Sequence, residues 1–189
     1  MDDQTIAERI LAGDERAFSA LLSKYERMAY TIAFRIMGNR EEAEEVTQDA
    51  FVRMYRALPD FRFDCKFSTW LCRIVYRVAL TTLRQRQLFD DLDENTPLST
   101  ELADEEVASA ESLLERADRR EVVDQALERL PAGDRLLLTL YYLEERPVEE
   151  IRQITELTDS NIKVRLFRAR KRLYALLREK MHVKKGDLL

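Results

Sequence analysis

Apolar residues recur three and four positions apart along most of the chain, the spacing of one helix face. Phe18, Leu21, Tyr25, Met28, Ile32 and Ile36 form such a stripe and predict a long helix to about Met37, capped by Asp14 and ended by Gly38. A short helix from about Gln4 to Ala12 precedes it and stops at Gly13, a residue suited to the left-handed position after a helix. Asn39 with Glu42 reads as a helix cap and its third residue. That helix runs to about Leu58, with Ala43, Val46, Ala50 and Met54 inward and Pro59 closing it. After the aromatic, charged loop Asp60 to Phe67, Ser68 is expected to cap a helix to about Gln87. Its apolar stripe is Leu71, Ile74, Val75, Val78 and Leu83, and its polar side carries Arg73, Arg77, Arg84 and Arg86. Four such helices bury their stripes against one another as a compact bundle.

The pattern changes at residues 88–117, where Pro97, serines, threonines and acids dominate. The first half reads as an extended linker, and Glu105 to Ala117 as the lead-in to a further helix. Asp118 to Leu130 is predicted helical, closed by Pro131-Ala132-Gly133. Asp134 is then expected to cap a helix with Leu136, Leu137, Leu140 and Tyr141 inward. From Pro147 to Arg178, two helical runs flank a short break at Glu156-Leu157-Thr158, the pattern of a helix-turn-helix. In the second run Ile162, Leu166, Ala169, Leu173 and Leu176 share one face. Ser160, Val164, Arg168 and Lys171 lie opposite, flanked by Asn161, Lys163 and Phe167. Asp159 is expected to cap this helix, leaving a cationic face able to enter a major groove. Pro147 suits the first helical position, whereas Arg146 is a poor cap.

Charge supports the division. The chain carries 31 Lys/Arg and 36 Asp/Glu, a net −5. Residues 1–86 hold 14 basic and 13 acidic groups, residues 87–117 hold one and ten, and residues 118–189 hold 16 and 13. All the acid excess therefore sits between two near-neutral halves, giving domains at 1–87 and 118–189 and an acidic linker at 88–117. The expected fold class is all-α, two small helical domains. Gly and Pro, four of each, are too few for many turns. Cys65 and Cys72 do not have zinc or redox spacing, and read as inert thiols. A single histidine, His182, leaves little scope for metal or histidine acid–base chemistry, so no metal, cofactor or catalytic residue is expected. The acidic, amphipathic start is not a secretory signal, and the apolar run Leu136 to Leu143 is too short to span a bilayer. These features lead us to expect a soluble cytoplasmic protein.

Four stretches together resemble the extracytoplasmic-function (ECF) sigma factors, a group of bacterial RNA polymerase initiation subunits. EEAEEVTQDAFVRMYRAL (41–58) resembles their second conserved region, and FRFDCKFSTWLCRIVYRVALTTLRQR (61–86) the segment that opens the promoter. ALERLPAGDRLLLTLYYLE (126–144) resembles the start of the fourth region, and EEIRQITELTDSNIKVRLFRARKRL (149–173) its helix-turn-helix. The match spans about residues 14–178 in the family order.

The resemblance implies a non-catalytic subunit that binds core RNA polymerase and promoter DNA. The first domain would hold the minus-10 element and the clamp helices of the largest subunit. The second would hold the minus-35 element and the flap of the second-largest subunit, with the linker in the polymerase channel. A stress or envelope regulon and an anti-sigma factor, often membrane-anchored, are implied as well, with the free protein a monomer that inserts into no membrane itself.

Residue by residue, Ser160, Asn161, Lys163, Val164, Phe167, Arg168 and Lys171 would face the minus-35 groove. Phe167 fits the edge of the core stripe equally well. Arg62, Phe63, Asp64, Lys66, Phe67, Trp70, Arg73, Arg77 and Arg84 would serve minus-10 binding and melting. The loop Arg62 to Lys66 is the preferred holder of a flipped base, because Phe67 and Trp70 also fit a core stripe, and for Trp70 the core reading leads. Gln48, Asp49 and Arg53 would contact the polymerase. The chain departs from the family pattern at Arg77 and Thr81, often Asn and Asp or Asn in relatives, and at Glu156, where the turn usually holds Gly. Small domain surpluses predict weak duplex binding by the isolated protein. The competing reading is a conventional helix-turn-helix repressor or activator, which the 41–86 motifs disfavour; an all-helical enzyme lacks a convergent cluster or phosphate loop.

Overall fold

The computed structural model describes residues 2–90 and 116–186, and those residues form helices, turns and loops without a strand. Helix α1 (Asp3–Leu11), α2 (Glu15–Met37), α3 (Arg40–Ala57) and α4 (Phe67–Asp90) make the first bundle, with a 3₁₀ turn at Leu58–Asp60. Helices α5 (Arg116–Glu128), α6 (Ala132–Leu138), α7 (Val148–Thr155) and α8 (Asp159–Gly186) make the second, with a π-helical turn at Thr139–Leu143. The expected linker lies outside the described residues, apart from its ends, which belong to α4 and α5.

The first bundle follows its caps and stripes. The Asp14 carboxylate accepts from the backbone N–H groups of Arg16 and Ala17, and Asn39 accepts from that of Glu42. Gly38 ends α2 in the left-handed region at φ 73°, as a glycine can without strain. Leu21, Ile32, Met54, Leu58, Phe67 and Leu71 are the largest fully buried side chains here, each worth about 1.5–3 kcal/mol of transfer free energy. The Tyr25 hydroxyl donates to Asp3 at 2.6 Å and ties α1 to α2.

Four expected caps are corrected. Helix α4 begins two residues early, at Phe67 rather than Thr69, because the Lys66 carbonyl accepts from Thr69 and Trp70; Ser68 is inside the helix and its hydroxyl instead accepts from Arg146. Helix α6 starts at Ala132 after Pro131, so Asp134 lies within the helix, buried, with its carboxylate on Arg172 at 2.6 Å. Thr158, not Asp159, caps α8: its hydroxyl accepts from the Asn161 N–H and its carbonyl from that of Ile162. Pro147 occupies the cap of α7, and Val148 is the first helical residue. Tyr141 is also corrected, from inward to exposed. The wide turn bonds the Glu144 N–H back five residues to the Thr139 carbonyl, which rotates Tyr141, Tyr142 and Leu143 to solvent while Leu140 stays buried.

The two halves pack on each other, α6 against α2 and α7 against α4, within one continuous buried cluster. Polar anchors frame this contact. Arg135 reaches the end of α2, donating through Nε to the Arg35 carbonyl and through a terminal nitrogen to the Ile36 carbonyl at 3.4 Å. A cation there also meets the negative end of the helix dipole. Arg35 in turn pairs with Asp124 on α5.

Candidate nucleic-acid interface

The second helix of the helix-turn-helix splits by burial. Ile162, Leu166 and Ala169 enter the core, so the opposite face is held outward by their packing. Val164 and Phe167 are 44% and 49% exposed, and Ser160, Asn161, Lys163 and Arg168 surround them in solvent. Phe167 is therefore a surface residue, and the Lys171 ammonium lies over its ring at 4.9 Å. Two apolar groups among cations present what a major-groove edge offers partners for: thymine methyls, guanine acceptors and phosphates. Arg165 leans instead toward buried Asp134, at 3.8 Å.

The loop before α4 builds a second surface. Phe61 stacks on Trp70 with centroids 4.3 Å apart, Phe63 packs on Phe61 at 4.5 Å, and Phe67 meets Trp70 edge-on at 5.4 Å. Phe63 holds a left-handed backbone at φ 58°, which turns the loop sharply and leaves Arg62 and Asp64 exposed on either side. Phe67 is wholly buried, and in this arrangement offers no face to a base. Trp70 is 8% exposed, in keeping with its core reading, yet it still lines a cleft of about 460 Å³. Asp60, Arg62, Asp64, Cys65 and Arg73 share the walls, and Gln153 of α7 closes one side. Arg77 and Arg84 lie further along the exposed side of α4.

Glu150 of α7 sits at the rim. Its carboxylate accepts from Lys66 at 2.6 Å, Arg146 at 2.9 Å and Thr69 at 3.1 Å. Burial alone would raise its pKa, but these three donors outweigh that and hold it below the ordinary glutamate value. Arg146 also donates to Ser68 at 2.9 Å. Nearby, Arg77 pairs with Glu156, whose carboxyl is lowered by that hydrogen bond and charge. Sequence reasoning missed Glu150 and Thr69 as interface residues. Only the poor cap at Arg146 and the departures at 77 and 156 signalled anything there.

On the far side of the first bundle, Gln48, Asp49 and Arg53 are exposed on α3, with Asp49 and Arg53 paired at 2.9 Å. Gln48 borders a groove of about 920 Å³ between α2 and α3 that also holds Phe18, Leu22, Val52 and Tyr55. Exposed Val52 and Tyr55 give it an apolar floor suited to a protein partner. Burial raises both thiols and pushes Cys72, which is fully enclosed, up to about 12, while Cys65 is only half-buried. Among the described residues no cluster of three metal-ligating side chains occurs, and no helix is long and apolar enough to cross a membrane.

Comparison with known proteins finds matches for both halves of the chain. The profile of Sigma-70 region 2 matches residues 21–89, and that of Sigma-70, region 4 matches residues 120–173. The chain is 33% identical over 186 residues to the RNA polymerase sigma-H factor of Pseudomonas aeruginosa, covering 94% of this chain and 96% of that one. It is 32% identical over 175 residues to the ECF RNA polymerase sigma-E factor of Escherichia coli K12, covering 90% and 91%. Among solved structures, CnrH in complex with the cytosolic domain of CnrY is similar, with a TM-score of 0.63 and 26% identity over 94% of this chain and 97% of that one. The fold is also that of the Bartonella quintana sigma factor RpoE in complex with the anti-sigma factor NepR, at a TM-score of 0.64 and 21% identity over 85% and 96%. The chain belongs to the sigma-70 family, among its ECF-type RNA polymerase sigma factors.

Proposed function

We propose that this protein is a non-catalytic cytoplasmic subunit that binds core RNA polymerase, reads the minus-35 element with α8 and opens the minus-10 element with the loop before α4. The observation that carries the reading is the exposed Val164–Phe167 pair set among Lys163, Arg168 and Lys171. Neighbouring apolar groups exposed together mark an interaction surface, and cations around them favour a polyanion. The 460 Å³ cleft beside Trp70 is roomy enough for an unstacked base, with Arg62 and Arg73 near its phosphates. The groove at Gln48, Val52 and Tyr55 is the surface on which the clamp helices of the polymerase would sit. The exposed Tyr141, Tyr142 and Leu143 suit the flap.

Domain bounds of 1–87 and 118–189 follow from the same division of labour, with the linker in the channel. The solved complexes of similar sigma factors support an anti-sigma partner for this one too. Such a partner, if membrane-anchored, would hold the protein at the membrane. The test is a Lys163→Ala/Arg168→Ala variant in reconstituted holoenzyme. It should keep core binding and lose initiation at promoters that need a minus-35 element. Loss of core binding, or undiminished initiation, would count against the assignment.

A further inference from the structure

Helix α6 carries a buried carboxylate behind the recognition helix. Asp134 is 5% exposed, and each of its oxygens faces an arginine of α8: one lies 2.6 Å from Arg172, the other 3.8 Å from Arg165. Gly133 beside it makes the room, since a Cβ there would run into the Arg165 guanidinium. Asn161, Arg165, Arg168 and Arg172 follow one another four, three and four residues apart, so they form one edge of α8, next to Val164. A helix in a major groove turns its edges to the phosphate strands, and contacts made there add affinity without reading sequence.

We infer that Asp134 withholds Arg165 and Arg172 from those phosphates and so keeps binding by α8 dependent on its base-facing residues. The inference rests on the reading of α8 as the minus-35 helix. Burial gives the carboxylate its hold. Were both arginines to move to phosphate, Asp134 would stay in the core as an unpaired charge, whereas an exposed acid would return to water at little cost. The arginine side chains themselves are 30% exposed at Arg172 and 37% at Arg165, so their reach to the DNA edge is limited by the pairing and not by enclosure. Arg172 is the tighter partner and Arg165 the looser one. The polyanion contacts of α8 then fall to Lys163, Arg168 and Lys171, which surround the exposed Val164 and Phe167. Asp134 therefore sets the balance between sequence-independent and sequence-dependent binding.

The test measures binding of the full chain to a fluorescent duplex of mixed sequence, about 20 base pairs long, between about 50 and 200 mM salt. Asp134→Asn keeps the volume and an oxygen that can accept from Arg172, and removes the charge. It should steepen the salt dependence by one or two released counterions, so that its affinity falls about 3- to 12-fold more than the parent's over that range. Arg165→Ala/Arg172→Ala in the parent should leave the slope unchanged, because neither group touches phosphate there. In the Asp134→Asn background the same pair of changes should restore the parent's slope. A merely structural role for Asp134 would weaken binding at every salt concentration without steepening it, and helical circular dichroism checks that each variant is folded. Lys163→Ala/Arg168→Ala separates this inference from the reading beneath it, since that variant should flatten the slope if α8 binds DNA. Parallel slopes for the parent and Asp134→Asn, or a shallower slope in Arg165→Ala/Arg172→Ala alone, overturn the inference. Slopes unchanged in every variant, Lys163→Ala/Arg168→Ala included, overturn the assignment of α8 to DNA as well.

Discussion

Replacing Glu150 with alanine isolates the polar anchor between the domains, and its cost can be worked through donor by donor. Lys66, 72% exposed, returns to water almost without penalty. Thr69 loses one hydrogen bond, worth about 1 kcal/mol. Arg146 decides the outcome, because its side chain is 11% exposed and its Nε already has no hydrogen-bond partner. Without Glu150 the guanidinium keeps Ser68 as its nearest hydrogen-bonding neighbour and becomes a cation in a dry contact. Removing one partner of a fully buried pair typically costs about 3–5 kcal/mol, and partial burial with the retained Ser68 bond places this case below that range, at about 2 kcal/mol. The loss should appear as a lower midpoint in urea, followed by helical circular dichroism. Arg146→Met in the Glu150→Ala background removes the stranded charge and should recover most of that loss. A single-variant loss below about 1 kcal/mol, or strictly additive losses in the double variant, would refute the reasoning.

Other expectations follow from the same geometry. Ile162→Ala empties a fully buried site and should cost about 2–5 kcal/mol in unfolding experiments, whereas Phe167→Ala on the exposed face should leave stability nearly unchanged and weaken promoter binding by the holoenzyme. Acid should open the contact: Glu150 and Glu156 sit below the ordinary value of 4.5, so their contribution is whole above that pH and fades as pH falls through the folded values. Glu150→Gln should flatten that dependence in a pH titration of domain separation. A thiol reagent at pH 8 should modify Cys65 alone in the folded chain and both cysteines in denaturant, since Cys72 is buried with its thiol pushed up to about 12; rapid double labelling of the native protein would contradict this.

The helices were legible because their information is local. Asp14, Gly38 and Asn39 act through their own neighbours, and the stripes through Leu21, Val46 and Leu71 have the helical period. Two of the misread caps have a common cause. Ser68 and Asp134 are good capping residues by type, but each is inside a helix with an arginine from elsewhere in the chain on its side chain. No local pattern encodes such a partner. Tyr141 failed because a π-helical turn breaks the period on which the prediction rested. The exposed face of α8 was readable from periodicity, since a face opposite a buried stripe must be exposed. The domain contact was not: Arg35, Arg135, Arg146 and Glu150 pair over separations of many residues, and charge at a helical position ordinarily reads as solvated. Arg77 and Glu156 were visible one at a time as departures, and only the fold joins them.

The central claim is tested most directly by transcription from fragmented genomic DNA with sigma-free core polymerase, with and without this protein, mapping every RNA 5′ end. The account predicts discrete new starts that share two upstream elements, lost in the Lys163→Ala/Arg168→Ala variant where the upstream element is required. An absence of new starts together with failure to bind core polymerase would contradict it.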